Sequence, residues 1–176
     1  MTRRISSALL VALATAGMTA GCGSSDRPAE LSLDDVKPCN LISRQTLDTL
    51  QVTTDPLPDP LVPGSGEEGS SCFYQPRYGG TVIVSVVTNQ GIDHWTDSSG
   101  DTKGIDLPRI QGYRTIRLTG PSYESGSHAM CTLYVDVADG QSLRAEAGPN
   151  GDGDPPSCEI SRQFAEAAVA SLAKQG

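Results

Sequence analysis

Apolar and polar positions fall into distinct regimes along the chain. Behind Arg3 and Arg4, an apolar stretch runs from Ile5 through Leu9, Leu10, Val11 and Leu13 to about Ala16. It is shorter than the roughly 20 residues a membrane-spanning helix needs and has the size of a signal-peptide core. Polar and flexible residues follow, with no periodicity until Pro38-Cys39-Asn40-Leu41-Ile42. Ser43 through Leu50 reads as a short helix: Ser43 is placed to cap it, and Leu47 and Leu50 share a face near Ile42. Residues 51–71, crowded with Pro, Gly, Ser and acidic side chains, read as a long surface loop.

Alternation with a period of two then dominates. Cys72-Phe73-Tyr74-Gln75 and Thr81 through Thr88 predict a hairpin across Tyr78-Gly79-Gly80, and Tyr113 through Leu118 predicts a further strand. The polar stretch Asn89 to Gly104, which carries His94 and Trp95, reads as a loop. Cys131, Leu133, Val135 and Val137 share one face of a strand; Asp139-Gly140 turns, and Leu143, Ala145 and Ala147 return. After a Gly/Asp/Pro loop at 148–157, Ile160, Phe164, Ala168 and Leu172 mark a helix from about Cys158 to Lys174. The predicted fold is α+β: an antiparallel sheet of about five strands, with an N-terminal and a C-terminal helix packed on one face and two disulfides.

Small residues lead from the apolar stretch into a cysteine, Thr19-Ala20-Gly21-Cys22. This resembles a lipobox, with Thr19 where such boxes most often carry Leu. The expected organisation is therefore a lipoprotein signal peptide at 1–21, a lipidated flexible tether at 22–36, and one folded domain at 37–174. Attachment would come from a diacylglyceryl group, with palmitate-type acyl chains, on Cys22, since two or more chains are needed for stable anchoring. The expected location is the cell membrane, on its extracytoplasmic face. Arg3-Arg4 leaves both the general and the twin-arginine export routes open.

Charge narrows the partners. With 13 basic and 21 acidic residues, the chain lacks the concentrated Lys/Arg that phosphate backbones demand, so no nucleic-acid partner is expected. Cysteine arithmetic narrows the compartment. Besides Cys22 there are Cys39, Cys72, Cys131 and Cys158, an even number that fits two disulfides in an exported protein. Their spacings of 33, 59 and 27 residues are unlike the paired Cys-x-x-Cys knuckles of zinc sites. Pairing Cys39 with Cys72 and Cys131 with Cys158 would staple each terminal helix to its neighbouring strand; three pairings remain open.

The order of these features resembles the family of actinobacterial lipoproteins whose common domain is called DUF3558, a domain of unknown function. The matching residues are Pro38-Cys39-Asn40-Leu41-Ile42-Ser43, Cys72-Phe73-Tyr74, Gly112-Tyr113, Cys131-Thr132-Leu133-Tyr134-Val135-Asp136 and Cys158. Tyr74 stands where the family often has Trp. The resemblance implies an exported, lipid-anchored envelope protein of a high-GC Gram-positive bacterium, and lends no catalytic residues.

Candidate chemistry is sparse. His94 and His128 are the only histidines and no Gly-x-Ser-x-Gly elbow accompanies them, so both read as exposed loop residues. Asn150-Gly151-Asp152-Gly153-Asp154 suggests a calcium loop, but the sixth and twelfth positions are Pro155 and Ser161, where Gly and Glu are required. Asp34-Asp35 and Glu67-Glu68 read as solvating charge. No catalytic residue, metal site or cofactor is nominated. Trp95 and His94 on their loop, with Tyr134 on the hairpin face opposite Leu133 and Val135, form the candidate binding surface. The expected function is a non-enzymatic, lipid-anchored binding or accessory module for a small amphiphilic ligand or an envelope protein. The alternatives are a hydrolase of envelope glycans or lipids and a structural subunit of an envelope complex.

Overall fold

The computed structural model describes residues 27–59, 66–78, 80–97, 99–121, 123, 126 and 128–175. The expected signal peptide, lipobox and Cys22 lie outside these residues. Strand propensity and turn chemistry generate a single antiparallel sheet of seven strands: β1 (Leu57–Asp59), β2 (Gly69–Tyr74), β3 (Val82–Val87), β4 (Lys103–Ile110), β5 (Tyr113–Thr119), β6 (Cys131–Ala138) and β7 (Gln141–Ala147). The spatial order is β1-β2-β3-β7-β6-β5-β4. Two meanders, β1–β3 and β4–β7, thus meet where β7 pairs with β3.

The hairpin between β6 and β7 follows its apolar alternation: Cys131 faces Ala147, Leu133 faces Ala145 and Val135 faces Leu143. Gly140 takes φ +68° in its turn, where a side chain would be strained. Those positions, with Val82, Val84 and Val86 of β3, face α3 (Ser157–Leu172). Ile160, Phe164, Ala168 and Leu172 are all buried there, and Phe164 meets Tyr74 at a ring separation of 5.4 Å. The N-terminal helix α1 (Arg44–Thr49) is capped by the Ser43 side chain, which accepts from Thr46 N, and buries Leu47 in the same core.

The expectation of about five strands is corrected to seven. Both additional strands are edges. β1 is three residues long with a central Pro58, and β4 carries Gly104, Asp106 and Pro108 and leaves most of its length exposed. Edge strands bury little, so their sequences lack the apolar alternation that marks a strand. Residues 51–71 and 89–104 consequently are not continuous loops.

The domain also begins before the expected boundary at Lys37. Leu31 and Leu33 are buried in the main core, Leu31 N donates to Val137 O at 2.8 Å, and Leu33 N donates to Gln141 Oε1 at 2.7 Å. Arg27 pins this segment through ion pairs with Glu30, Asp136 and Asp139. The two leucines are too few to display a periodicity, and the contacts that hold them are to Val137 and Gln141, more than 100 positions away.

Cys39 is bonded to Cys72 and Cys131 to Cys158, each with a Cα separation of 5.0 Å. The first ties the turn at Pro38–Asn40 to β2, and the second ties the start of α3 to β6.

Candidate functional site

The strand order explains how a site is assembled on the sheet face away from α3. β3 and β4 follow one another in sequence but are separated in the sheet by β7, β6 and β5. Adjacent strands lie about 4.8 Å apart, so the connection must travel nearly 20 Å across one face. It does so over the face opposite α3, carrying the short helix α2 (Asp93–Thr96). Ile92 and Trp95 from this crossover pack with Val87, Ile116, Leu118, Tyr134 and Tyr123 in a second, smaller apolar cluster.

The segment before β2 covers the same face from another side. Asn89 Nδ2 donates to Gly66 O at 2.7 Å, while Glu68 N donates to Asn89 Oδ1 at 2.8 Å. Gly69 is required for the descent into β2: with φ +143°, an added Cβ would lie 1.8 Å from Val86 O. Glu67 is thereby directed onto the sheet, where it is only 9% exposed.

A polar and aromatic cluster results. Tyr134 OH donates to Glu67 Oε1 at 2.5 Å. Arg144 forms an ion pair with Glu146, and Thr132 Oγ1 donates to Glu146 Oε2 at 2.7 Å. The Arg144 guanidinium lies 6.0 Å from the centre of the Tyr134 ring, within cation–π range. Trp95 stands 5.6 Å from Tyr134, and His94 meets Trp95 edge-on at 4.8 Å. Burial raises the Glu67 carboxyl above the ordinary carboxylate range, against the Tyr134 hydrogen bond and the Arg144 charge, which favour ionisation. Burial likewise pushes the Tyr134 and Tyr123 phenols up. Among the described residues, Glu67 Oε2, Trp95 Nε1 and Gln90 Oε1 are buried without a hydrogen-bond partner. Such atoms are costly to leave unmade; the two oxygens can accept and the indole N–H can donate.

Trp95, His94 and Tyr134, the residues nominated from sequence, are therefore neighbours. Their roles differ from the nomination in one respect. Tyr134 does face away from Leu133 and Val135, but it is 1% exposed because the crossover and Glu67 lie over it, so it is no surface residue. His94 is exposed and Trp95 half-buried, on α2 and not on an irregular loop. Sequence reasoning missed Glu67, Arg144, Glu146, Thr132 and Tyr123. Thr132, Arg144 and Glu146 alternate out of phase with the apolar face of their hairpin, which is also how a solvated face reads. Glu67, expected to be solvating charge, is buried by the fold of its neighbours, for which no local signal exists.

The other nominated motifs have structural roles. Asn150 Oδ1 accepts from His128 Nδ1 (2.8 Å) and Asn150 Nδ2 donates to Pro155 O, while Asp154 accepts from Gly151 N, so the acidic turn is closed on itself. Among the described residues no three His, Cys, Asp or Glu side chains are grouped to hold a metal ion, and no helix is long and apolar enough to cross a membrane. A separate cleft of about 400 Å³ opens beside β1 and β2, walled by Pro38, Cys39 and Pro58 with Lys37 and Asn40 at its rim.

No curated protein and no solved structure matches the chain. One family does, over residues 13–171, and it is described as a protein of unknown function. That span includes both disulfides, the whole sheet and nearly all of α3; the chain belongs to the DUF3558 family.

Proposed function

We propose that this protein is an exported lipoprotein, anchored through a diacylglyceryl group on Cys22 at the extracytoplasmic face of the cell membrane, that serves as a non-enzymatic binding module. Its ligand is a small amphiphile, or the exposed group of an envelope protein, received at the cluster around Glu67. Export is supported by the short apolar stretch after Arg3-Arg4, the lipobox-like Thr19-Ala20-Gly21-Cys22 and the even number of remaining cysteines.

The observation that carries the binding reading is Glu67. A carboxyl group nine-tenths buried on a sheet face, with one oxygen held by Tyr134 and the other without a partner among the described residues, is expensive for folding alone. Beside it, Trp95 and Tyr123 supply apolar surface, and the Trp95 indole N–H supplies a donor. A ligand bearing hydroxyl or amine donors next to an apolar body meets both requirements. Native mass spectrometry on the Cys22→Ser protein secreted by its own host tests this. A reproducible excess mass that disappears in Glu67→Gln is expected; a bare monomer under gentle conditions counts against a retained ligand.

One observation favours a second reading, a glycan hydrolase. Glu67 is held toward its neutral form, while Glu146 is tied to Arg144 and Thr132. Two carboxyl groups in contrasting environments are the requirement for acid and nucleophile or base. Turnover of envelope glycan that is abolished by both Glu67→Gln and Glu146→Gln would replace the binding reading with this one.

A further inference from the structure

The two disulfides differ in their electrostatic surroundings. Cys158 is the second residue of α3, a 16-residue helix, so its sulfur sits in the first turn, where unpaired backbone N–H groups favour negative charge. Arg117 of β5 reaches the same point, its Nη1 lying 3.9 Å from Cys158 Sγ. Arg117 is flanked in the sheet by Ile105 and Leu133, and its Nε is buried without a partner among the described residues. Among the described residues the bond to Cys158 is its only hydrogen bond, and it makes no ion pair. A guanidinium and a helix N-terminus therefore converge on the Cys158 sulfur; the acidic residue of that first turn, Glu159, is exposed and accepts from Gln163, so the group positioned to become an anion beside Arg117 is Cys158 itself. The Cys39–Cys72 bridge matches it in burial, with Cys72 buried and Cys39 half-buried, but differs in its surroundings: among the described residues no cationic side chain hydrogen-bonds either sulfur, and Cys72 Sγ faces the Phe73 carbonyl at 3.9 Å.

We infer that Cys131–Cys158 is a thiol–disulfide exchange site, served by a dithiol carrier, whereas Cys39–Cys72 is a structural bridge. Exposure sets the direction of attack, because Cys131 is 2% exposed and Cys158 is half-buried. A thiolate of the carrier attacks Cys158 Sγ; the Cys131–Cys158 bond breaks, and Cys131 leaves with the electron pair and is protonated to a thiol. The carrier's second thiol loses its proton to solvent and attacks the carrier sulfur of the mixed disulfide, expelling Cys158 as a thiolate beside Arg117. The protein disulfide is thereby reduced by two electrons and the carrier dithiol is oxidised to a disulfide. Stabilising the departing thiolate speeds the second displacement and shifts the equilibrium toward the reduced form.

The test equilibrates the full-length protein from its host in buffers of graded dithiothreitol ratio, followed by acid quenching, alkylation and peptide mapping of each bridge. Cys131–Cys158 is expected to open at a ratio roughly tenfold less reducing than Cys39–Cys72, equivalent to about 30 mV for a two-electron couple. Arg117→Gln should remove most of that gap and Arg117→Lys should restore part of it, with the Cys39–Cys72 midpoint unchanged in both as an internal check on folding. Simultaneous opening of the two bridges, opening of Cys39–Cys72 first, or an unaltered gap in Arg117→Gln would each overturn the assignment.

Discussion

At the scale of single residues, Glu67 and Tyr134 set the most specific expectations. Burial favours the neutral form of Glu67, so its pKa is higher in the folded than in the unfolded state. The stability tied to its proton is complete below the unfolded pKa and is lost as pH rises through the folded one. Glu67→Gln keeps an acceptor for Tyr134 and cannot ionise. Urea unfolding of both proteins from pH 4 to pH 8 should therefore show wild type losing ground to Glu67→Gln with increasing pH; parallel curves would mean that Glu67 is charged at no cost. Tyr134→Phe removes the donor from Glu67 Oε1 and leaves a buried acceptor unmade, with an expected loss of about 1–3 kcal/mol. Unchanged unfolding midpoints would show that water replaces the phenol.

Among the elements, α3 and the N-terminal segment make separable contributions. Phe164 is 1% exposed and packs on Tyr74, so Phe164→Ala should cost about 3–5 kcal/mol, read as a shift in the denaturant midpoint. Arg27 holds a different element. Its loss leaves the partly buried Asp136 without its cation and frees the segment that buries Leu31 and Leu33. Arg27→Ala is expected to destabilise by about 1–3 kcal/mol and to open the chain near Glu30 to limited proteolysis while β6 and β7 stay protected. The elements differ equally in how legible they were. β6, β7 and α3 announce themselves because each buries one face against a single partner and repeats its apolar residues with the matching period. β1 and β4 are edge strands with little to bury, and their sequences carry Pro, Gly and charge instead.

For the whole molecule, attachment and folding should be independent. Cys22→Ser is expected to move the protein from the membrane fraction to the medium with unchanged thermal unfolding, since the buried core of the described residues starts at Leu31, nine positions further along the chain. Continued tight membrane association of that variant would remove the lipid anchor from the proposed function.

Sequence by itself determined what depends on neighbours in the chain. Arg3-Arg4, the apolar stretch and Cys22 are local features on which the proposed export and lipid attachment rest; the alternation in β6 and β7, the Asp139-Gly140 turn and the stripe on α3 specify their own elements; and the cysteine count limits the bridges to two. The candidate site belongs to the other category. Thr132, Tyr134, Arg144 and Glu146 alternate like any solvated strand face, and Glu67 sits among glycines and serines like any loop acid. Only the strand order, with β7 inserted beside β3 and β4 carried to the far edge, forces the β3–β4 connection across that face and buries the cluster under Trp95. Local propensity acts over a few residues, whereas the burial of Glu67 follows from contacts made 67 positions away, with Tyr134. That distance is why the tertiary structure alone decided where the chemistry of this protein is concentrated.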